Sequence, residues 1–223
     1  CLFPRWFAPP QPDWPSNHLQ SGFPLFNDIA TPDDDGALDA FLAAGEPPVV
    51  FTAGSTLVDH AAYARAVADA LRATGARGIL LTPHDAAQDG GRLLVRRFVP
   101  MRTLLPRCRA LVHHGGIGTA ALACEAGIVQ VVTPFAHDQF DNAQRVVANG
   151  CGVRVDGPLD GARLGAALAR VLDEPAFAVH AARTRALLAA APDGCGAAAD
   201  FIERFVPTRG RTAARTDVAV AGA

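Results

Sequence analysis

Two stretches of the chain carry residues whose types and spacing suit chemistry. The first is His113-His114-Gly115-Gly116-Ile117-Gly118-Thr119. Glycines let a backbone come close to a ligand. If a helix opens here, the free N–H groups of Gly118 and Thr119 point outward, and with the helix dipole they form an anion site. The Thr119 hydroxyl and the His114 imidazole add donors, so the ligand read here is a phosphate or diphosphate. Gly54-Ser55, a second glycine-bearing strand end, could close over the same group. Such a turn can also serve packing alone, and that reading stays open. The second stretch is Pro134-Phe135-Ala136-His137-Asp138-Gln139-Phe140-Asp141-Asn142-Ala143. Asp138 and Gln139 set acceptors and donors side by side, as the hydroxyls of a sugar ring require. Asp138 can equally be an N-cap for the helix that follows.

Adjacent histidines raise the question of a metal. Neighbours on a strand point to opposite faces, so His113 and His114 are not expected to chelate one ion. No carboxylate or further His stands at ligand spacing beside them. No metal is expected, and His113 reads as a packed residue.

The elements that must position these residues alternate. Apolar runs at Val49–Thr52, Gly78–Thr82, Leu93–Val95 continuing to Phe98-Val99, Ala110–His113 and Val129–Thr133 read as strands. Helices are expected at 59–74, 118–126, 138–149, 160–172, 176–190 and 195–205, from apolar positions at helical spacing. Gly150 suits the residue just past the second of the helices between strands. Continuous apolar strands separated by helices imply an α/β fold, a Rossmann-like parallel sheet with helices on both faces. Open parallel sheets bind ligands at the carboxyl ends of their strands, where both stretches fall.

Residues 1–36 differ. Six of its seven prolines (Pro4, Pro9, Pro10, Pro12, Pro15, Pro24) exclude a helix over the part they span, and the stretch reads as a connector that packs its aromatics on something. Asp33-Asp34-Asp35-Gly36 then gives a turn and a helix start, with Leu38, Phe41 and Leu42 at helical spacing. Residues 37–206 read as the binding domain. Residues 207–223 read as a flexible tail whose three Arg residues form a solvated end rather than an anionic docking segment.

Composition bounds the class. A chain of 223 residues, half of them hydrophobic and 19% charged, is not disordered, and its net charge of −2 argues against a nucleic-acid binder. All 20 basic residues are Arg, which we read as codon bias in a GC-rich genome. Five scattered cysteines without a CxxC pair fit reduced thiols in a cytoplasm. No apolar run is long enough for a membrane span, and no signal peptide is visible. The chain opens at Cys1 and its one Met is Met101, so it is expected to be a processed chain or a piece of a longer protein.

Taken together and in order, His113–Thr119, Ala126-Gly127, Thr133-Pro134-Phe135, Asp138-Gln139 and Asn142-Ala143 resemble the donor-binding signature of GT-B glycosyltransferases. The likeness is to the UDP-glycosyltransferase-like group with sterol, rhamnosyl and macrolide (EryCIII-like) members, and it runs from about Phe3 to Phe205. Phe7–Pro15 and Gly22–Phe26 resemble the segment joining the two GT-B domains. The resemblance implies the C-terminal donor-binding half, which transfers a hexose from a UDP- or dTDP-sugar to a hydroxyl of a small lipophilic acceptor, without metal or cofactor. It implies diphosphate contacts from Gly54, Ser55, His114, Gly116, Gly118 and Thr119, and sugar contacts from Asp138 and Gln139. Arg97-Phe98-Val99-Pro100 resembles the base-binding turn, in which Phe98 stacks on the nucleobase and the Val99 backbone reads its edge. A buried core role for Phe98 stays open. The general base and acceptor pocket belong to the family's N-terminal domain, so no catalytic base is assigned to this chain. The sequence departs from the group at Leu122, where relatives carry a ribose-binding acid or amide, at Met101, where many have Gln, and at Val129, where Pro is common. These changes leave the nucleotide open. Two other classes fit the same likeness: a non-catalytic partner of a complete transferase, and a nucleotide-sugar epimerase.

Overall fold

The computed structural model describes residues 1–25, 36–54, 59–84 and 91–204. Six strands, β1 (Val49–Thr52), β2 (Gly78–Leu81), β3 (Leu93–Arg96), β4 (Ala110–His113), β5 (Val129–Val132) and β6 (Gly152–Arg154), form one parallel sheet. Their order is β3-β2-β1-β4-β5-β6. Successive side chains of each strand leave on opposite faces. Val49 and Phe51 therefore pack with Tyr63, Val67, Leu71, Leu164 and Leu168, while Val50 packs with Ile79, Leu111, Leu104 and Ala123 on the other side. Both faces are covered by helices, which is why the strands read as uninterrupted apolar runs.

The helices are α1 (Ala37–Ala43), α2 (His60–Thr74), α3 (Met101–Leu104), α4 (Ile117–Ala126), α5 (Gln139–Ala148), α6 (Gly161–Asp173), α7 (Pro175–Ala189) and α8 (Gly194–Glu203). Carboxylates cap several of them: Asp59 accepts from the Ala62 N–H and Asp160 from the Arg163 N–H, each at 2.8 Å. α5 stops where Gly150 takes φ +70°, with its N–H on the Val147 carbonyl and the Cys151 N–H on the Val146 carbonyl.

The amino-terminal residues pack as expected. Phe7 and Phe23 are buried, their ring centroids 5.1 Å apart, and they rest with Trp6 on Ala120, Ala121, Ala143 and Val146 of α4 and α5. The expected turn at Asp33-Asp34-Asp35, together with Ser55, Phe26, Phe205 and the tail, lies outside the described residues.

Three expectations change. β3 stops at Arg96 instead of running on to Phe98-Val99. Its partner among the described residues, β2, ends at Leu81; the Thr82 N–H still donates to the Arg96 carbonyl (2.9 Å), but the next donor on that side, the His84 N–H, turns back to Thr82 Oγ1 (3.2 Å) and the ladder ends. Residues 97–99 turn away, and the chain enters α3 and a 3-10 turn (Leu105–Arg107) that the sequence reading had left unassigned. β2 and β5 each stop one residue short of the expected end, at Leu81 and Val132, and β6 is not among the expected strands.

The strand order reverses between β1 and β4. Segments leaving these two neighbours diverge to opposite faces and leave a crevice at the carboxyl edge. Gly54 and the loop from His114 to Gly118 emerge there, side by side.

Candidate functional site

His113 ends β4 fully buried and does not meet the crevice. Its Nδ1 accepts the Gly115 N–H at 3.2 Å, so its Nε2 carries the proton and donates to Gln130 Oε1 at 3.0 Å. Burial pushes its pKa down to about 3, with His114 adding repulsion and the Gln130 bond opposing both. His113 is therefore a neutral support under the loop, in line with the packed reading.

His114, the next residue, points the other way and is half-buried. Gly54 takes φ +74°, and a Cβ built there would lie 2.7–2.9 Å from three atoms of the His114 ring. A Cβ at Gly116 would lie 2.6 Å from His114 Nε2. The imidazole thus fills the space that two glycines, one on each loop, leave open. Its Nδ1 is buried without a hydrogen-bond partner among the described residues. Burial lowers its pKa and the nearby Asp138 carboxylate works in the opposite direction.

Gly116 is the N-cap of α4 with no side-chain cap, so the first N–H groups of this helix have no capping partner from it. Gly118 is exposed and Thr119 partly exposed, both in the first turn of α4. Both line a cavity of about 600 Å³ that also takes in Gly54, Phe98, Val99, Met101, Arg102 and Leu122. Phe98 is 44% exposed on this wall, which removes the core alternative for it, while Val99 is buried. Expected phosphate-loop and base-turn residues, far apart in sequence, share one cavity.

Leu122 presents only carbon to that cavity. The nearest acid along α4, Glu125, is engaged by Arg102, whose Nε donates to Glu125 Oε2 at 2.8 Å and whose second nitrogen bonds Oε1. This ion pair escaped the sequence reading, because nothing in the spacing of residues 102 and 125 announces it.

His114, Gly116, Asp138 and Gln139 lie outside that wall. The Asp138 pair adjoins His114 through the loop after β5, where the Phe135 ring is 6.3 Å from the His114 ring. Asp138 is exposed and occupies the N-cap position of α5, yet its carboxylate makes no capping bond. Gln139 is buried, and its Oε1 accepts the N–H groups of Phe135 and Ala136 at 3.0 and 3.1 Å. Its carbonyl end therefore shapes the loop, a task the sequence reading had not given it. The same loop holds His137 at φ +52°, a left-handed conformation uncommon outside glycine. Among the described residues no group of three or more His, Cys, Asp or Glu could hold a metal ion. No helix among them is long and apolar enough to cross a membrane.

The family model described as erythromycin biosynthesis protein CIII-like, C-terminal domain, matches residues 86–203. The chain belongs to the EryCIII-like C-terminal domain family. Among relatives of this EryCIII-like domain is the O-mycaminosyltylonolide 6-deoxyallosyltransferase of Streptomyces fradiae, 35% identical over 93% of the chain and 50% of that protein. Another is the vancomycin aglycone glucosyltransferase of Amycolatopsis orientalis, 37% identical over 77% of the chain and 43% of that protein. The EryCIII-like domain spans half or less of the length of these relatives. Its sheet and helices match the C-terminal half of GT-B glycosyltransferases. The glycosyltransferase of kitacinnamycin superposes with a TM-score of 0.72 at 28% identity, covering 92% of this chain and 54% of that one. The glycosyltransferase VinC in complex with dTDP superposes with a TM-score of 0.66 at 26% identity, covering 90% and 50%.

Proposed function

We propose that this chain is the donor half of a glycosyltransferase and binds a dTDP-sugar, whose hexose passes to a hydroxyl of a small lipophilic acceptor. The observation that carries the reading is the shared cavity. Its lining joins the start of α4 and Gly54 to an exposed aromatic, Phe98, and its neighbour Val99. That combination suits a nucleoside diphosphate: N–H donors for the phosphates and a ring face for the base. Asp138, beside His114, is available to sugar hydroxyls, with Gln139 behind it. In this reading residues 37–206 are the donor domain, and residues 1–36 lead into it from the acceptor half.

Leu122 supports a deoxynucleotide. A 2′-hydroxyl facing Leu122 would lose its water and gain no partner, because Glu125 is already held by Arg102. A 2′-deoxyribose has no such group to strand. The relative VinC was solved with dTDP, which agrees with this preference.

On departure, the nucleoside diphosphate gains negative charge. In this reading the α4 N-terminus and His114 stabilise that charge, a contribution larger in the developing product than in the bound donor. His114 acts in this reading as a neutral donor, since burial lowers its pKa. No base is assigned within the chain. The reaction belongs in a cytoplasm, a setting that five free thiols fit.

Calorimetry of the chain with dTDP, UDP and GDP tests the reading. We expect dTDP to bind most tightly, and Leu122→Gln to narrow its lead over UDP by about tenfold, the worth of one added hydrogen bond. Binding of none of the three, or an unchanged ratio in the variant, would contradict it.

A further inference from the structure

Asn142 belongs to the ordered signature but has no task of its own in the reading above. It sits one turn into α5 and is 5% exposed. Its side-chain amide has two hydrogens, and both are used. Nδ2 donates to the Gly115 carbonyl at 2.9 Å and to Asp138 Oδ2 at 2.8 Å. The second bond follows from spacing, because residues 138 and 142 lie one above the other on a helix.

Gly115 is therefore held at both ends of its residue. Its N–H is on His113 Nδ1 and its carbonyl is on Asn142. It takes φ +97°, and a Cβ there would stand 2.9 Å from the Gln139 carbonyl, so α5 packs directly on the loop after β4. One planar amide joins that loop to Asp138.

We infer that Asn142 is a positioning residue that couples the diphosphate end of the donor site to its sugar end. The inference rests on the donor reading. Holding a loop carbonyl takes one donor, and aiming a carboxylate takes one donor. A primary amide supplies two in fixed geometry, where a hydroxyl supplies one. Without it the buried Gly115 carbonyl is unpaired and the conformation that opens α4 loosens. At the same time Asp138, which makes no capping bond, loses the group that aims it. Affinity for the diphosphate and the extra affinity from the sugar fall together.

Calorimetry with dTDP and dTDP-glucose as probes tests this on the full chain. Asn142→Leu keeps a branched side chain and removes both donors. We expect dTDP to bind about tenfold more weakly, and the difference between dTDP-glucose and dTDP to vanish. Asn142→Asp is isosteric and sets two carboxylates four residues apart, so its loss is larger; it also carries the comparison if the Leu variant does not fold. Asp141→Asn, on the exposed side of α5 and paired with Arg145, binds both probes as wild type does. A loss confined to one of the two quantities, or no loss, overturns the coupling. Amide hydrogen exchange needs no ligand and separates this inference from the donor reading. Faster exchange over residues 115–119 in Asn142→Leu, with β2 and α6 unchanged, supports the clamp even if no nucleotide binds, which is failure of the donor reading alone. Unchanged exchange over residues 115–119 overturns the clamp.

Discussion

At the residue scale the site is a matter of room. The His114 ring occupies the space beside Gly54 and Gly116, so its position depends on what those residues lack. Gly54→Ala adds a methyl group within 2.9 Å of the ring on a backbone at φ +74°. We expect a stability loss of about 1–2 kcal/mol from the strained conformation, together with at least tenfold weaker dTDP binding as the ring is displaced. Thermal melts and calorimetry on the same sample separate the two effects. His113 carries a different prediction. Folded, it takes no proton until about pH 3, whereas in the unfolded chain it titrates at its ordinary 6.5. Between those values the unfolded state holds more protons, so stability is present above 6.5 and is lost as the pH falls toward 3. Urea midpoints measured at pH 7, 5.5 and 4 should fall more steeply for wild type than for His113→Gln. Equal slopes would remove His113 as the source.

At the element scale the strands nearest the crevice were legible and the edge of the sheet was not. β1, β2 and β4 announce themselves as apolar runs ending in turn residues, because both their faces are covered. β6 has three residues, Gly152-Val153-Arg154, and no sequence pattern separates so short a piece from a loop. What makes it a strand is close approach: a Cβ at Gly152 would stand 2.0 Å from the Gln130 carbonyl oxygen. That oxygen is backbone and cannot step aside. Gly152→Ala should therefore cost about 3 kcal/mol, near the top of the range for overpacking. It should also weaken nucleotide binding, because Gln130 is what His113 leans on. A melting temperature within a degree or two of wild type would show that β6 does not need the contact. Phe98 taught the opposite lesson. Its apolar neighbours look like more strand, but beyond Thr82 the next donor, the His84 N–H, turns back to its own segment and the ladder ends, so residues 97–99 are free to form the cavity wall.

At the scale of the whole molecule, sequence order was enough to locate the site, since glycine loops after β1 and β4 of a parallel sheet must meet at its switch point. It could not reveal how the parts are joined. The Arg102–Glu125 pair, the Gln139 carbonyl turned into its own loop, and the Asn142 bridge all depend on side-chain directions that only the packed structure fixes. Three phenylalanines at or just beyond the carboxyl edge, Phe98, Phe135 and Phe140, remain 44, 40 and 39% exposed. In the donor-half reading this edge faces the acceptor domain. The chain alone should then bind donor and transfer nothing, and transfer should be recovered when an acceptor-binding half is supplied. Product formation by the chain alone, followed by mass spectrometry, would contradict that division of labour.

The space shared by Gly54 and His114 also ties together the histories of two positions sixty residues apart in the chain. A lineage that gains any side chain at 54 pushes the imidazole out, so the histidine at 114 is no longer worth keeping. A lineage that loses the histidine no longer needs the glycine. The two should therefore vary as a pair across descendants of this domain, with glycine at 54 retained wherever histidine is retained at 114.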